Sequence, residues 1–214
     1  MDAIELASLI RFPFAMVCIG KRASGKSVLI DQVVESLVEQ EKVFTVLLLS
    51  STAHLTEDFP SLPDNCKLPF SNEILQTIMD NQEKDKKKDR KHIILVLDDI
   101  LSLKEARNSQ QINSLFTRGR HLHLHPICLV QANSHAVSPQ VRANTDYWII
   151  GKTVRPVFES VWYQVAGINK KEFIELCEKL TQDHHFVGID VRANSTTLSD
   201  WVWSIKAKIK TEKK

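Results

Sequence analysis

Residues 14–27 read Phe-Ala-Met-Val-Cys-Ile-Gly-Lys-Arg-Ala-Ser-Gly-Lys-Ser, an apolar run leading into Gly20-x-x-x-x-Gly25-Lys26-Ser27. A segment with Ile30, Val33, Val34, Leu37 and Val38 at helical spacing follows, from Val28 to about Gln40. Strand, glycine-bounded loop and helix in that order are the context in which this spacing cradles phosphate. Gly20 and Gly25 admit backbone geometry that a side chain obstructs, so successive N–H groups of Lys21, Arg22, Ala23 and Ser24 curl around an anion. The positive end of the new helix points at the same charge. In such a P-loop Lys26 reaches the β- and γ-phosphates of a nucleotide, and the Ser27 hydroxyl is placed to ligate Mg²⁺.

The remaining chain alternates strand and helix signals. Apolar runs at Val43–Leu49, Ile93–Asp99, Pro126–Gln131 and Tyr147–Ile150 predict buried strands. Helices are expected at 72–81 behind Ser71, from Asn108 or Ser109 to about Thr117, after Ser138-Pro139, and at 156–166 and 170–182. Thr52 to Pro69, with three prolines, reads mainly as loop. Phe186–Val191 and Trp201–Ile205 read as the arms of a hairpin, with Trp201 and Trp203 on one face. The order argues a three-layer α/β fold, a P-loop domain over 1–214 with a largely parallel central sheet and a C-terminal β-hairpin. Its core spans about 12–151, helices and hairpin follow over 152–206, and a basic tail closes 207–214.

Totals narrow the class. A 43% hydrophobic fraction and 25% charged residues are ordinary for a globular protein. Net charge +2 announces no polyanion partner, so any basic surface must be local. Residues 83–91 hold six basic and three acidic side chains; a solvated linker is the plainer reading, a DNA-backbone contact the functional one. Four scattered cysteines without a C-x-x-C pair fit a reducing compartment. No apolar run is long enough to span a membrane and no leader pattern is present, so a cytoplasmic location is expected. His121, His123, His125 and His184-His185 lack ligand partners at zinc spacing and are expected at a surface or interface.

Four pieces sit in order at the ends of the segments: the P-loop, Asp98-Asp99, the arginine pair of Thr117–His121 and Gln131. Ligands of open α/β sheets bind outside the carboxyl ends of strands. Asp98, ending the third strand, fits the acid that holds a Mg²⁺ hydration shell, and Asp99 is a candidate base for water. Glu105 is a weaker substitute for Asp99. Gln131 ends the fourth strand with both a donor and an acceptor, suited to sensing a γ-phosphate or orienting water. Arg118 and Arg120 either complement a helix dipole or supply an arginine finger across a subunit boundary.

Pro13-Phe14 before Gly20–Ser27, Ile93–Asp99, Arg118-Gly119-Arg120-His121, Leu129-Val130-Gln131 and Val141-Arg142 together resemble the FtsK/HerA superfamily of nucleic-acid pumps. Within it they are similar to the compact genome-packaging ATPases of large DNA viruses, poxviruses and virophages. The resemblance implies an ATP-driven homo-oligomeric ring, pentamer or hexamer, that translocates double-stranded DNA into a capsid. It also implies capsid or membrane-associated virion proteins as partners and the host cytoplasm or a viral factory as location. Lys26 would contact ATP, Ser27 and Asp98 serve Mg²⁺, Asp99 act as base and Gln131 as sensor, and Arg118 or Arg120 would reach a neighbour's ATP. The superfamily usually has Glu where Asp99 stands, one methylene longer. The alternatives are a small-molecule P-loop kinase, a cellular or plasmid DNA pump, and a slow nucleotide switch. For a kinase the Thr52–Pro69 loop offers a lid without arginine, and an Asn-Lys-x-Asp guanine signature is missing, since Asn169–Glu172 ends in Glu.

Overall fold

The computed structural model describes residues 1–40, 43, 45–52, 58–100, 106, 109–131, 137–165, 168–193, 195 and 197–207. Eight strands form one sheet: β1 (Met16–Gly20), β2 (Thr45–Ser50), β3 (Lys67–Pro69), β4 (Ile93–Asp98), β5 (Leu124–Gln131), β6 (Tyr147–Ile150), β7 (His185–Asp190) and β8 (Val202–Lys206). Their spatial order is β3-β2-β4-β5-β1-β6-β7-β8. The β3-to-β6 portion is parallel throughout, and β7 and β8 join antiparallel through β6. The C-terminal hairpin therefore extends the main sheet.

Alternation along the strands produces two cores. Val17, Ile19, Leu95, Leu97, Cys128, Val130, Trp148 and Ile150 face one, and Met16, Cys18, Ile94, Val96, Ile127, Leu129, Tyr147 and Ile149 face the other. The second core is covered by α1 (Ala3–Leu9) and α2 (Lys26–Glu39). The first is covered by α3 (Asn72–Lys84), α4 (Gln110–Arg118), α5 (Pro139–Ala143), α6 (Arg155–Trp162) and α7 (Lys170–Leu180). Helix–sheet–helix is the expected three-layer α/β architecture.

Caps explain the boundaries. Asp2 closes a capping box with Glu5 on α1, and the side chains of Ser71, Ser109, Ser138 and Asn169 accept N–H bonds at the starts of α3, α4, α5 and α7. The outer edge of β8 is paired by Met1, whose N-terminus donates to Ser204 O (2.9 Å) while Lys206 N donates to Met1 O (3.0 Å). No helix among the described residues is long and apolar enough to cross a membrane.

Three expectations change. The Thr52–Pro69 stretch, read as loop, holds a 3₁₀ turn at Asp64–Cys66 and the edge strand β3; a three-residue strand ending in Pro gives no periodic signal. The two tryptophans do not share a face: Trp201 lies before β8 with φ −139° and ψ −4°, breaks the extended alternation and joins the first core, while Trp203 packs on the second. His125 is fully buried rather than at a surface. Its Nε2 bonds His92 Nδ1 (2.7 Å) and its ring stacks on Phe14, and His92 stacks on His123 with ring planes 5° apart.

Candidate active site

The site forms at the carboxyl ends of β1, β4 and β5, adjacent strands whose register sets Gly20 beside Gln131 and Asp98 beside Leu129. From Gly20 the chain turns through Ala23, at φ 58°, to Gly25, at φ 89°, which is the N-cap of α2. A left-handed N-cap without a Cβ avoids strain that a larger side chain would meet. Gly25 offers no side-chain cap, so the first N–H groups of α2 are left to an external acceptor. At Gly20 the constraint is contact: a Cβ there would lie 2.7 Å from Ser24 Oγ.

Lys26 Nζ donates to Gly20 O (3.0 Å) and Lys21 O (2.9 Å), folding the cation back over the loop mouth. Ser24 Oγ is buried and has no hydrogen-bond partner among the described residues. A buried hydroxyl of that kind is costly unless something bonds to it, so the cradle's chemistry fits an anion. A cavity of about 650 Å³ opens above, lined among others by Ser24, Lys26, Ser27, Asp98, Asp99 and Gln131.

Asp98 is the last residue of β4 and is half-buried. Burial pushes its carboxyl up to about 6; Asp58 and Asp99 push the same way and Lys26 opposes them. β4 ends there, one residue short of the expected strand. Asp99 takes a left-handed φ of 51° and leaves the strand. Its Oδ2 accepts from Gln131 Nε2 at 3.1 Å, bringing the candidate base and sensor together across neighbouring strands. Ser27 and Asp98 both line the crevice and supply the oxygen donors that a hard cation takes.

Thr52 and Asp58 also line the crevice, and sequence reasoning did not single them out. They follow β2, which is the neighbour of β4 in the sheet. The available signal was their place after a strand; their neighbourhood with Asp98 depends on a strand order that periodicity does not encode. Glu105 and Asn108 lie outside the described residues.

Arg118 and Arg120 are not brought to the crevice of their own chain. They precede β5, at its amino end, and eight residues of strand put about 26 Å between the two ends. Arg118 Nη2 pairs with Glu83 Oε1 at 3.1 Å.

The fold is that of P-loop NTPases. The genome packaging NTPase B204 from Sulfolobus turreted icosahedral virus 2, in complex with ATP-gammaS, superposes with a TM-score of 0.64 at 18% identity, over 92% of this chain and 98% of that one. The pCW3 conjugation coupling protein TcpA with ATPgS gives 0.60 at 12% identity, over 88% and 62% of the two chains. The cytoplasmic domain of the Thermomonospora curvata type VII secretion ATPase EccC gives 0.58 at 12%, over 84% and 23%. No curated protein matches the sequence. The sequence profile of the poxvirus A32 protein family matches residues 1–185. The chain belongs to that family.

Proposed function

We propose that this chain is an ATP-hydrolysing motor that translocates double-stranded DNA and packages a viral genome into a capsid. The observation that carries it is the crevice, in which the P-loop, Asp98, Asp99 and Gln131 converge on one space. Family membership and the likeness to a packaging NTPase over nearly the full length of both chains support the biological setting.

In this reading the loop from Gly20 to Ser27 wraps the phosphates and Lys26 swings from its carbonyl contacts to the β- and γ-oxygens. Ser27 and Asp98 would hold Mg²⁺, which would supply positive charge to neutralise the phosphates. Asp99 takes the proton of the attacking water, whose oxygen bonds to the γ-phosphorus as the bridging P–O bond to ADP breaks. Gln131, bonded to Asp99, positions that water. Given their distance from their own crevice, Arg118 and Arg120 serve only a neighbouring subunit's ATP. Arg118 is paired with Glu83 and Arg120 lies near enough to Asp146 to act on its carboxyl, so the finger, Arg118 or Arg120, is released from its own chain to reach the neighbour. That assignment requires a homo-oligomeric ring, pentamer or hexamer. The chain functions as one P-loop domain in the host cytoplasm or viral factory, with capsid or membrane-associated virion proteins as partners.

The deciding experiment measures ATP hydrolysis against added double-stranded DNA at low salt, with particle size recorded with and without ATP. Stimulation by DNA and ATP-dependent assembly are expected. An unchanged rate with a persistent monomer would overturn the motor, and a phosphorylated metabolite formed instead would establish a kinase.

A further inference from the structure

The basic run 83–91 and the Arg118–His121 segment lie far apart in sequence but share one surface at the amino ends of β4 and β5. Arg90 joins them. Its Nε donates to Asp85 O (3.1 Å), Nη1 to His121 O (2.7 Å) and Nη2 to Glu83 O (3.3 Å), while Arg90 O meets His123 Nδ1 at 3.1 Å. Asp89 N donates to Lys86 O at 2.8 Å, closing a turn over 86–89. A segment with no apolar residue is thereby pinned to the fold by a guanidinium spent on carbonyls.

The charge left over is concentrated. Residues 83–91 carry six cations against three carboxylates, whereas the whole chain is only +2, so the remainder of the molecule is net negative. One of the three acids, Glu83, is neutralised by Arg118. Lys86, Lys87 and Lys88 are exposed and make no ion pair with a described residue.

The geometry points to a phosphate-backbone contact for double-stranded DNA on this surface, centred on Lys86, Lys87 and Lys88 and held in place by Arg90. This deepens, and rests on, the reading of the chain as a DNA motor. Composition selects the occupant. A duplex offers one negative charge per ~1.7 Å of axis, which lysine point charges neutralise without reading sequence. The turn has no aromatic side chain on which single-stranded bases would stack and no Asn or Gln to read base edges. The contact also sits one strand length from the nucleotide. β4 starts two residues after Lys91 and ends at Asp98, and β5 runs from the same surface to Gln131. DNA and ATP thus occupy opposite ends of the same two strands.

The test is binding of a fluorescent 30-base-pair duplex to the full chain over a salt series. The wild type is compared with the triple variant Lys86→Gln, Lys87→Gln, Lys88→Gln and with a control, Lys171→Gln with Lys179→Gln, on exposed positions of α7. The triple variant should lose at least tenfold in affinity at low salt. Its slope of log K against log salt should fall by about 2.7, at ~0.9 per phosphate contact. Its DNA-free ATP hydrolysis and melting temperature should stay at wild-type values, and the control should bind within about twofold of wild type. Wild-type affinity and slope in the triple variant would overturn the assignment, as would an equal loss in the control. Retained DNA binding with lost binding to polyglutamate would assign the surface to an acidic protein instead. A wild-type chain that binds no duplex at low salt would sink the motor reading itself.

Discussion

Gln131 Nε2 donates to Asp99 Oδ2 at 3.1 Å, linking the ends of two adjacent parallel strands above the P-loop. The bond orients the carboxylate proposed above as the base. Asp99 takes a left-handed φ of 51° and leaves the strand, which ends at Asp98.

Asp99→Asn should therefore slow ATP hydrolysis by about a hundredfold or more, the usual scale for removing a general base, with ATP affinity nearly unchanged. Gln131→Leu should slow it by a smaller factor. Because the two residues act through one hydrogen bond, the double variant should be little slower than Asp99→Asn alone. Single-turnover rates check this. Fully multiplicative losses would mean that the two side chains work independently.

Ser24 supplies a test of the cradle that separates binding from folding. Its Oγ is buried and unpartnered among the described residues, so Ser24→Ala removes an unsatisfied group and should leave the nucleotide-free melting temperature unchanged or higher. A hydroxyl that bonds phosphate would be lost at the same time, weakening ATP by about five- to twentyfold, equivalent to ~1–2 kcal/mol. Calorimetric titration with ATP reads the second effect and a thermal scan the first. Undiminished affinity would remove Ser24 from the cradle.

The central strands were legible because strands buried on both faces carry continuous apolar runs, as Met16–Ile19 and Ile93–Leu97 do. The P-loop, Asp98 and Asp99 were legible because motif spacing and strand ends are local features. Strand order was not, and with it went Thr52 and Asp58, which reach the crevice only because β2 lies beside β4. Pro126 suggested a strand start, yet β5 begins at Leu124. Its proline pairs with Leu95 on one side and precedes the first β1 partner on the other, where its missing N–H breaks no ladder bond. That two-residue extension is what carries His125 inside.

His125 makes the fold sensitive to acid. Burial and the neighbouring His92 push its imidazole down to about 3, against 6.5 in an exposed ring. A depressed pKa gives stability that is present above pH 6.5 and is lost as pH falls toward 3, because the unfolded state takes up the proton first. Between pH 7 and pH 5 the loss from this group is about 2 kcal/mol. His125→Phe keeps an aromatic ring beside Phe12 and Phe14 and removes the titration. Urea midpoints at the two pH values should differ less in the variant than in wild type; an identical difference would locate the acid sensitivity elsewhere.

Arg192 is the least expected structural residue, since it follows β7 in a stretch with no sequence signal. Its guanidinium reaches back to the turn before β1. Nη1 donates to Pro13 O (2.6 Å) and Nη2 to Arg11 O (2.9 Å) and to Tyr147 Oη (2.5 Å). The cation lies 4.7 Å from the Tyr147 ring centre and near Asp146 and Asp190. Asp146 in turn accepts from Ala15 N at 2.8 Å, so the clamp holds the segment that delivers β1 to the P-loop. Lysine has one cationic nitrogen where this site uses a planar fork, so Arg192→Lys should destabilise nearly as much as Arg192→Ala. Either should cost about 2–4 kcal/mol, because two backbone carbonyls lose a charged donor and Asp146 loses its ion-pair partner, while Asp190 keeps Arg11 at 2.7 Å. A chemical denaturation curve measures it. Full rescue by lysine would show that charge alone, and not the geometry of the fork, secures the approach to β1.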